Sequence, residues 1–341
     1  MGFARIEAIA SHFPEAVLDN ATLAALYPDW PPEKILDKTG IASRRIAAEG
    51  ETSADLAYGA ALKLFAQGVD PASVDYLLFC TQTPDYVLPT TACVLQDRLG
   101  LRTGVGALDF NLGCSGFVYG LSLAKGLIET GQARRVLLLT ADTYSKLIHP
   151  GDKSVRTLFG DGAAATLIGE CAAHEAQIGP FVFGTDGGGA QNLIVPAGGY
   201  RRPRDAASGE AKTDASGNVR SDDDIYMNGS AIMAFALREV PAAVETMARL
   251  TGRGLNDYDI VAFHQANGFM LERLRAKLGV EPSRFAVRLE ACGNTVSATI
   301  PIVLEPLMRA PARRRALLLG FGVGYSWAAC EAVLPSQGDL Q

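Results

Sequence analysis

The chain has 341 residues, of which 48% are hydrophobic and 20% charged, and its formal net charge is -6. A chain of this size and composition can bury a large core, and its mild acidity argues against nucleic acid as the main partner. The opening residues lack the apolar region of a signal peptide, and no apolar run is long enough to span a bilayer. We therefore expect a cytoplasmic protein with no membrane partner.

The cysteines stand at positions 80, 93, 114, 171, 292 and 330. They lack the paired spacings of a zinc site or of a disulfide framework. We expect most of them to be reduced core residues, and the sequence predicts no metal site.

Short apolar runs alternate with helical patterns along the chain, which is typical of an α/β fold. Three segments of the first half are echoed in the second half, in the same order and at a similar offset. These pairs are 75–82 with 259–265, 111–114 with 292–295, and 134–139 with 314–319. The echo predicts two duplicated α/β halves, residues 1–170 and 171–341. Their strand ends would meet where ligands of α/β sheets usually bind.

Cys114 lies where an apolar, strand-like segment ends and a helical pattern begins. A cysteine in the first turn of a helix faces unpaired backbone N–H groups and the positive end of the helix dipole, and both favour the thiolate over the thiol. The small neighbours Gly113, Ser115 and Gly116 would leave the sulfur approachable. The sequence therefore predicts that Cys114 is a nucleophile.

The segment at about 197–224 interrupts the alternation, because it is rich in Gly, Arg, Asp and Ser. It is predicted to be a long surface loop. We interpret it either as a tolerated insertion or as a lid for a phosphate-bearing substrate.

Two polar residues of the second half are candidates for chemistry. His264 directly follows an apolar strand, where an imidazole can face a cleft and serve acid–base or hydrogen-bond chemistry. Asn294 follows a glycine and can donate hydrogen bonds without carrying charge, although an asparagine at such a position is by default a cap or turn residue. The other histidines are interpreted as structural; they are His12, His149 and His174.

Five motifs in this order resemble the β-ketoacyl-acyl carrier protein synthase III family of the thiolase superfamily. They are Gly-Cys-Ser-Gly-Phe around Cys114, Phe-Gly-Asp-Gly from Phe159, His-Gln-Ala-Asn from His264, Gly-Asn-Thr from Gly293 and Gly-Phe-Gly-Val-Gly from Gly320. The resemblance covers nearly the whole chain, including Lys-Thr-Gly-Ile from Lys38. It implies the five-layered αβαβα thiolase fold, formed from two similar halves, and a homodimer.

The resemblance also implies a reaction. Cys114 would be acylated by an acyl-coenzyme A thioester and would then undergo decarboxylative condensation with malonyl-acyl carrier protein, in fatty-acid initiation or in a specialised pathway. The backbone N–H groups of Cys114 and Val323 would form the oxyanion hole. His264 and Asn294 would hold the thioester carbonyl while the enolate forms. No cofactor is implied, since acyl-coenzyme A enters as a substrate.

Correspondence with the family assigns further residues to binding. Substrate-binding positions are Lys38, Leu88, Lys153, Gly229, Ala266, Asn267, Phe269 and Phe321. Of these, Leu88 corresponds to a residue that reaches into the partner subunit's acyl pocket. Carrier-protein docking is assigned to a basic helix face with Arg273, Arg275 and Lys277, which could equally be a solvated surface.

The chain departs from the family pattern near the expected nucleotide site. Lys34 and Lys38 replace a tryptophan and an arginine, and Lys153 replaces a second arginine. Phe269 stands where an arginine usually follows the His-Gln-Ala-Asn motif. These changes retain part of the charge but predict that the aromatic stacking surface is lost.

Three other readings remain open. Cys114 could pass its acyl group to an alcohol or an amine without decarboxylation, although the retained Asn294 favours condensation. The chain could instead be a non-catalytic partner subunit, although such partners typically lack the cysteine. A papain-like hydrolase shares the Cys, His and Asn residue types but not the surrounding motifs.

Overall fold

The computed structural model describes residues 2–172 and 178–336, so that His174 lies outside the described residues. The strands are β1 (Phe3–His12), β2 (Ala16–Asp19), β3 (Ser43–Ile46), β4 (Tyr76–Cys80), β5 (Gly106–Phe110), β6 (Arg135–Asp142), β7 (Gly162–Cys171), β8 (Ile178–Thr185), β9 (Leu193–Ile194), β10 (Lys212–Thr213), β11 (Val219–Arg220), β12 (Tyr226–Met227), β13 (Ile260–Phe263), β14 (Arg314–Gly322) and β15 (Ser326–Leu334). The helices are α1 (Asn20–Leu26), α2 (Pro32–Thr39), α3 (Ser53–Phe65), α4 (Thr91–Arg98), α5 (Gly116–Glu129), α6 (Lys153–Arg156), α7 (Gly229–Thr251), α8 (Gly268–Leu278) and α9 (Thr299–Leu304). Within the two described ranges, no helix is both long and apolar enough to cross a bilayer.

Two large sheets form the centre of the molecule. The first has the strand order β1-β7-β6-β4-β5, and the second has the order β13-β14-β15-β8. Strand β4 is parallel to β5 and β6, and β13 is parallel to β14. The strands β6 and β14 are almost wholly buried, which explains their continuous apolar runs in the sequence.

The helices place the two sheets in a five-layered arrangement. Helices α3 and α4 pack on the outer face of the first sheet, and α7 packs on the outer face of the second, with α8 beside it. Helix α5 lies between the sheets and contacts both of them, and α9 lies beside it. The predicted αβαβα layering is therefore confirmed.

Close packing of α5 depends on a glycine in its sequence. A Cβ atom added at Gly120 would lie 2.7 Å from Cδ1 of Leu138 in β6. Such a separation is too short for two carbon atoms, so a larger residue would push the helix away from the first sheet. The absence of a side chain there lets α5 fit between both sheets.

The echoed sequence segments occupy matching places in their sheets. In the first sheet the backbone N–H of Asp75 donates to the Arg135 carbonyl, and the Asp75 carboxylate accepts the Arg135 N–H. In the second sheet Asp259 makes the same pair of hydrogen bonds with Arg315. The two sheets thus repeat one pattern of parallel pairing at the start of their strands.

The segment at about 197–224 contains a short hairpin, β10 paired with β11. Arg220 in this hairpin reaches the buried carboxylate of Asp152 at 3.3 Å, and the Val219 N–H donates to the Gly151 carbonyl. Ser208 in the same segment is fully buried. These contacts attach the segment to the loop that precedes α6.

Arg44 in β3 is a fully buried charge that joins three parts of the first half. Its guanidinium donates to the Thr157 carbonyl, to the Asn20 side chain and to the Ile41 carbonyl. Burial lowers its pKa to about 10. The carbonyl groups that it satisfies have no access to water, so Arg44 holds the structure beneath the site described below.

We expect the Arg44→Met substitution to lower the free energy of unfolding by about 3 kcal/mol, because it leaves buried acceptors without a donor. The neighbouring Arg45 supplies a matched control, since its guanidinium makes only long contacts with the carbonyls of Pro14 and Glu15. Arg45→Met should change the free energy by less than about 1 kcal/mol. Chemical unfolding followed by circular dichroism measures both, and equal effects of the two substitutions would contradict the assignment.

Candidate active site

Cys114 lies in the turn between β5 and α5, and this turn packs directly against β14. A Cβ atom added at Gly320 would lie 2.7 Å from the Cys114 carbonyl oxygen, and one at Gly322 would lie 2.8 Å from the Cys114 sulfur. The hydroxyl groups of Ser115 and Ser326 are 2.6 Å apart in the same contact. The glycines of the fifth motif therefore let a residue of the first sheet's half approach the second sheet.

Burial controls the ionisation of the Cys114 thiol. Its pKa is raised to about 12, chiefly by burial and next by the nearby carboxylate of Asp142. The backbone N–H groups of Val323 and of Cys114 itself act in the opposite direction, which places both beside the sulfur. The expectation that the helix start would favour the thiolate is wrong for the unliganded site, because burial outweighs the dipole.

The side chains of His264 and Asn294 lie together. Nε2 of His264 is 3.5 Å from Nδ2 of Asn294, and Nδ1 of His264 is 2.8 Å from the Thr299 hydroxyl oxygen. That hydroxyl donates to the Val296 carbonyl, so its oxygen accepts the Nδ1–H proton. This network assigns an unprotonated Nε2, and burial lowers the His264 pKa to about 3. The imidazole is therefore neutral.

Asn294 is fixed by backbone contacts with the first half of the chain. Its N–H donates to the Leu158 carbonyl at 2.9 Å, and its own carbonyl accepts the Gly160 N–H at 3.0 Å. A Cβ atom at Gly160 would lie 2.0 Å from the Cys292 carbonyl oxygen. The backbone of the Phe-Gly-Asp-Gly motif therefore packs closely against the backbone at 292–294 and holds Asn294 in place.

Val296 has a backbone φ of 54°, a left-handed conformation that is unfavourable for a β-branched residue. This conformation turns its N–H toward Oδ1 of Asn294, at 2.9 Å, and its carbonyl toward the Thr299 hydroxyl. One strained residue thus orients both Asn294 and, through Thr299, His264.

The sequence analysis did not identify Asp142, which is fully buried at the end of β6. Its carboxylate accepts the Ser297 hydroxyl at 2.5 Å and the Gln82 N–H at 2.7 Å. The hydroxyl of Tyr144 donates to the Gln82 side chain, also at 2.5 Å. The sequence signal that could have identified Asp142 is a carboxylate at the end of an otherwise apolar strand.

The predicted substrate-binding residues fall into two groups. Phe321 is buried with its ring edge-on to the His264 imidazole, at a centroid distance of 5.7 Å. Ala266 and Asn267 lie between His264 and α8, where Asn267 caps the helix through its side-chain oxygen, and Phe269 lies in the first turn of α8. The remaining positions lie on other elements: Lys38 is in the last turn of α2, Leu88 is in an exposed loop, Lys153 begins α6 and Gly229 begins α7.

An aromatic ring is present beside the two lysines of α2, contrary to the expected loss. The ammonium groups of Lys34 and Lys38 lie 5.5 Å and 5.7 Å from the centroid of the Trp30 ring. The tryptophan is supplied by the loop before α2 and not by the helix itself. The aromatic ring therefore comes from a spatial neighbour and not from the position in α2 where the family pattern has a tryptophan.

The basic residues of α8 differ in their availability. Arg275 binds Glu272 through two nitrogen atoms and also donates to the Val280 carbonyl, so that it closes the end of the helix. Arg273 is exposed and lies over the Phe269 ring at 5.0 Å, and Lys277 is exposed. The predicted carrier-protein docking face therefore has two available basic side chains, Arg273 and Lys277, where the sequence indicated three.

Two family models match the chain. The model for 3-oxoacyl-[acyl-carrier-protein] synthase III covers residues 108–187, and the model for the C-terminal part of the same enzyme covers residues 249–332. These ranges contain Cys114 and both His264 and Asn294.

Relatives and solved structures agree with the family models. The β-ketoacyl-[acyl-carrier-protein] synthase III of Caldanaerobacter subterraneus is 33% identical over 94% of each chain, and synthase III 3 of Streptomyces coelicolor is 35% identical over 96% of each chain. A crystal structure of a 3-oxoacyl-(acyl-carrier-protein) synthase III is 60% identical, with a TM-score of 0.95 over 97% of this chain and 99% of that one. The enzyme from Burkholderia xenovorans is 37% identical, with a TM-score of 0.88 over 98% of this chain and 96% of that one. The chain therefore belongs to the β-ketoacyl-acyl carrier protein synthase III family and has its thiolase fold.

Proposed function

We propose that this enzyme transfers an acyl group from acyl-coenzyme A to Cys114 and condenses it with malonyl-acyl carrier protein, releasing carbon dioxide and forming a β-ketoacyl thioester. The observation that supports this most is that β14 contacts both groups: Cys114 lies against Gly322, and Phe321 packs on His264, which lies beside Asn294. A similar structure, 28% identical with a TM-score of 0.83 over 98% of this chain and 97% of that one, is a priming β-ketosynthase of a polyketide pathway.

The first step is acylation of Cys114. The sulfur attacks the thioester carbonyl carbon, and the oxyanion accepts hydrogen bonds from the N–H groups of Cys114 and Val323. The bond to the coenzyme A sulfur then breaks, and the thiol proton passes by way of the unprotonated Nε2 of His264 to the departing coenzyme A sulfur. Coenzyme A leaves as a thiol, and the imidazole is neutral again.

The second step is condensation. The neutral His264 imidazole donates through Nε2–H when Nδ1 accepts the Thr299 hydroxyl. Together with the Asn294 amide it donates to the malonyl thioester carbonyl oxygen, and this stabilises the enolate as carbon dioxide leaves. The carbanion attacks the acyl carbon on Cys114, and the carbon–sulfur bond of the acyl-enzyme breaks. The released Cys114 thiolate takes a proton from water, so that the resting state is restored.

The nucleotide end of coenzyme A binds at α2 in this proposal. Trp30 offers a ring face on which a base can stack, and Lys34 and Lys38 offer charge for phosphates. Lys153 begins α6 with a half-buried side chain and supplies a further cation. The acidic carrier protein docks on Arg273 and Lys277, since Arg275 is already paired.

The functional unit is a homodimer in the cytoplasm. Tyr86, Val87 and Leu88 are consecutive and are 57%, 79% and 78% exposed, a small apolar surface that a second copy would cover. Strand β5 is at the edge of the first sheet, where a second copy could pair with it. Leu88 then reaches the partner's acyl pocket.

The matching hydrogen bonds of Asp75 and Asp259 support duplicated halves that divide near residue 170.

We expect intact-protein mass spectrometry to show a gain of one acyl group when the enzyme is incubated with acetyl-, octanoyl- or benzoyl-coenzyme A. Cys114→Ala should abolish the gain, because it removes the nucleophile. Cys93 is an exposed cysteine and gives the control: Cys93→Ala should retain the gain. A gain that survives in Cys114→Ala would exclude Cys114 as the acylated residue.

The Asn294→Asp substitution should separate the two steps. It replaces the amide donor with an acceptor, so we expect acylation to persist while release of carbon dioxide from malonyl-acyl carrier protein falls at least about 100-fold. Asn256→Asp, at an exposed position, is the matched control. Radiolabelled carbon dioxide measures the release. If the wild type transfers the acyl group to an alcohol or an amine and releases no carbon dioxide, the reaction is acyl transfer and the proposed condensation is contradicted.

Leu88 should influence the preferred acyl length from across the dimer. We expect Leu88→Phe to shift the ratio of kcat/KM for octanoyl- and acetyl-coenzyme A about tenfold toward acetyl, because the larger tip shortens the partner's pocket. The exposed Leu250 provides the control Leu250→Phe. Light scattering on the same samples should give the mass of two chains, and a monomer with an unchanged preference would contradict the dimer assignment.

A further inference from the structure

The carboxylate of Asp142 connects two parts of the active site that are distant in sequence. On one side, its Oδ1 accepts the Gln82 N–H at 2.7 Å, at the end of β4. On the other side, its Oδ2 accepts the Ser297 hydroxyl at 2.5 Å and the Ser297 N–H at 3.3 Å. The residue has no exposed surface, so these protein groups take the place of its hydration.

Each connected part carries active-site groups. Gln82 lies against the nucleophile turn, since a Cβ atom at Gly113 would lie 2.5 Å from its Oε1. Ser297 directly follows Val296, whose backbone groups orient Asn294 and Thr299. The Ser297 side chain also packs near the start of α5, where a Cβ at Gly116 would lie 3.7 Å from the Ser297 Cβ.

We propose that Asp142 is a positioning residue for the condensation step, because its carboxylate holds the turn with Asn294 and Val296 in register with the Cys114 turn. This inference rests on the proposed function for the identity of that step. It extends that proposal by a residue that touches neither the thioester nor the reacting atoms. Because Val296 has a strained φ, we expect the turn to relax to another conformation when the hydrogen bonds between Ser297 and Asp142 are lost.

The same carboxylate acts on the sulfur through its charge. The titratable groups around Asp142 are Cys80, Cys114, Tyr144 and Asp161. A negative charge at Asp142 opposes ionisation of the Cys114 thiol, and burial raises the pKa of Asp142 itself to about 7. A residue with a purely mechanical role would have no such influence on the sulfur.

The decisive comparison uses Asp142→Asn and Ser297→Ala in the full-length enzyme. Asp142→Asn removes the charge at nearly constant shape, so the rate of Cys114 alkylation by iodoacetamide at pH 8 should rise about tenfold, which corresponds to one pKa unit. Carbon dioxide release should fall at least about tenfold as the turn moves. Ser297→Ala removes the hydroxyl donor but retains the Asp142 carboxyl group, so it should lower carbon dioxide release while alkylation rises less than in Asp142→Asn.

Glu331→Gln is the matched control, because Glu331 is also a buried carboxylate but lies in the second sheet and pairs with Arg253 and Arg315. It should leave the ratio of carbon dioxide release to Cys114 acylation unchanged. Wild-type alkylation in Asp142→Asn together with wild-type carbon dioxide release in Ser297→Ala would overturn the proposal. If Asp142→Asn does not fold, the release measured for Ser297→Ala decides. Failure of the wild type to be acylated would instead contradict the proposed function, and the alkylation comparison would still test the charge.

Discussion

The contact between the Cys114 turn and strand β14 is the constraint on which the site depends. Gly320 and Gly322 present bare backbone to this turn, and a side chain at either would overlap Cys114. The contact brings the Val323 N–H to the sulfur and places the turn beside Phe321, which packs on His264. The two sheets are thereby joined at the point where the chemistry occurs.

Burial favours the uncharged forms of Cys114 and His264 at the candidate site. The pKa of Cys114 is raised to about 12 and that of His264 is lowered to about 3, both chiefly by burial. Charge in an apolar cluster is costly unless it is paired, so the neutral thiol and imidazole are the stable resting forms. Charge then develops only when a thioester supplies a carbonyl to receive it. A dry site also protects an enolate from protonation by water.

The sequence supports the layered fold because strands with two covered faces must be apolar along their length, as in β6 and β14. It also identifies Cys114, His264 and Asn294 as candidates, since all three lie within distinctive motifs and the first two follow strands. It cannot supply the pKa of Cys114, because neither burial nor the Asp142 carboxylate is visible in the local pattern. Trp30 and Arg275 show the same limit, since their roles follow from neighbours that the folded chain brings to them.

Helix α5 has a consequence for how the two half-reactions share one centre. Because both sheets contact this helix and Gly120 lets it lie tightly against Leu138, close packing holds the turn at its start. In the proposed mechanism the Cys114 sulfur therefore keeps one position during both half-reactions. Acylation and condensation then alternate because one thioester replaces the other beside the same sulfur.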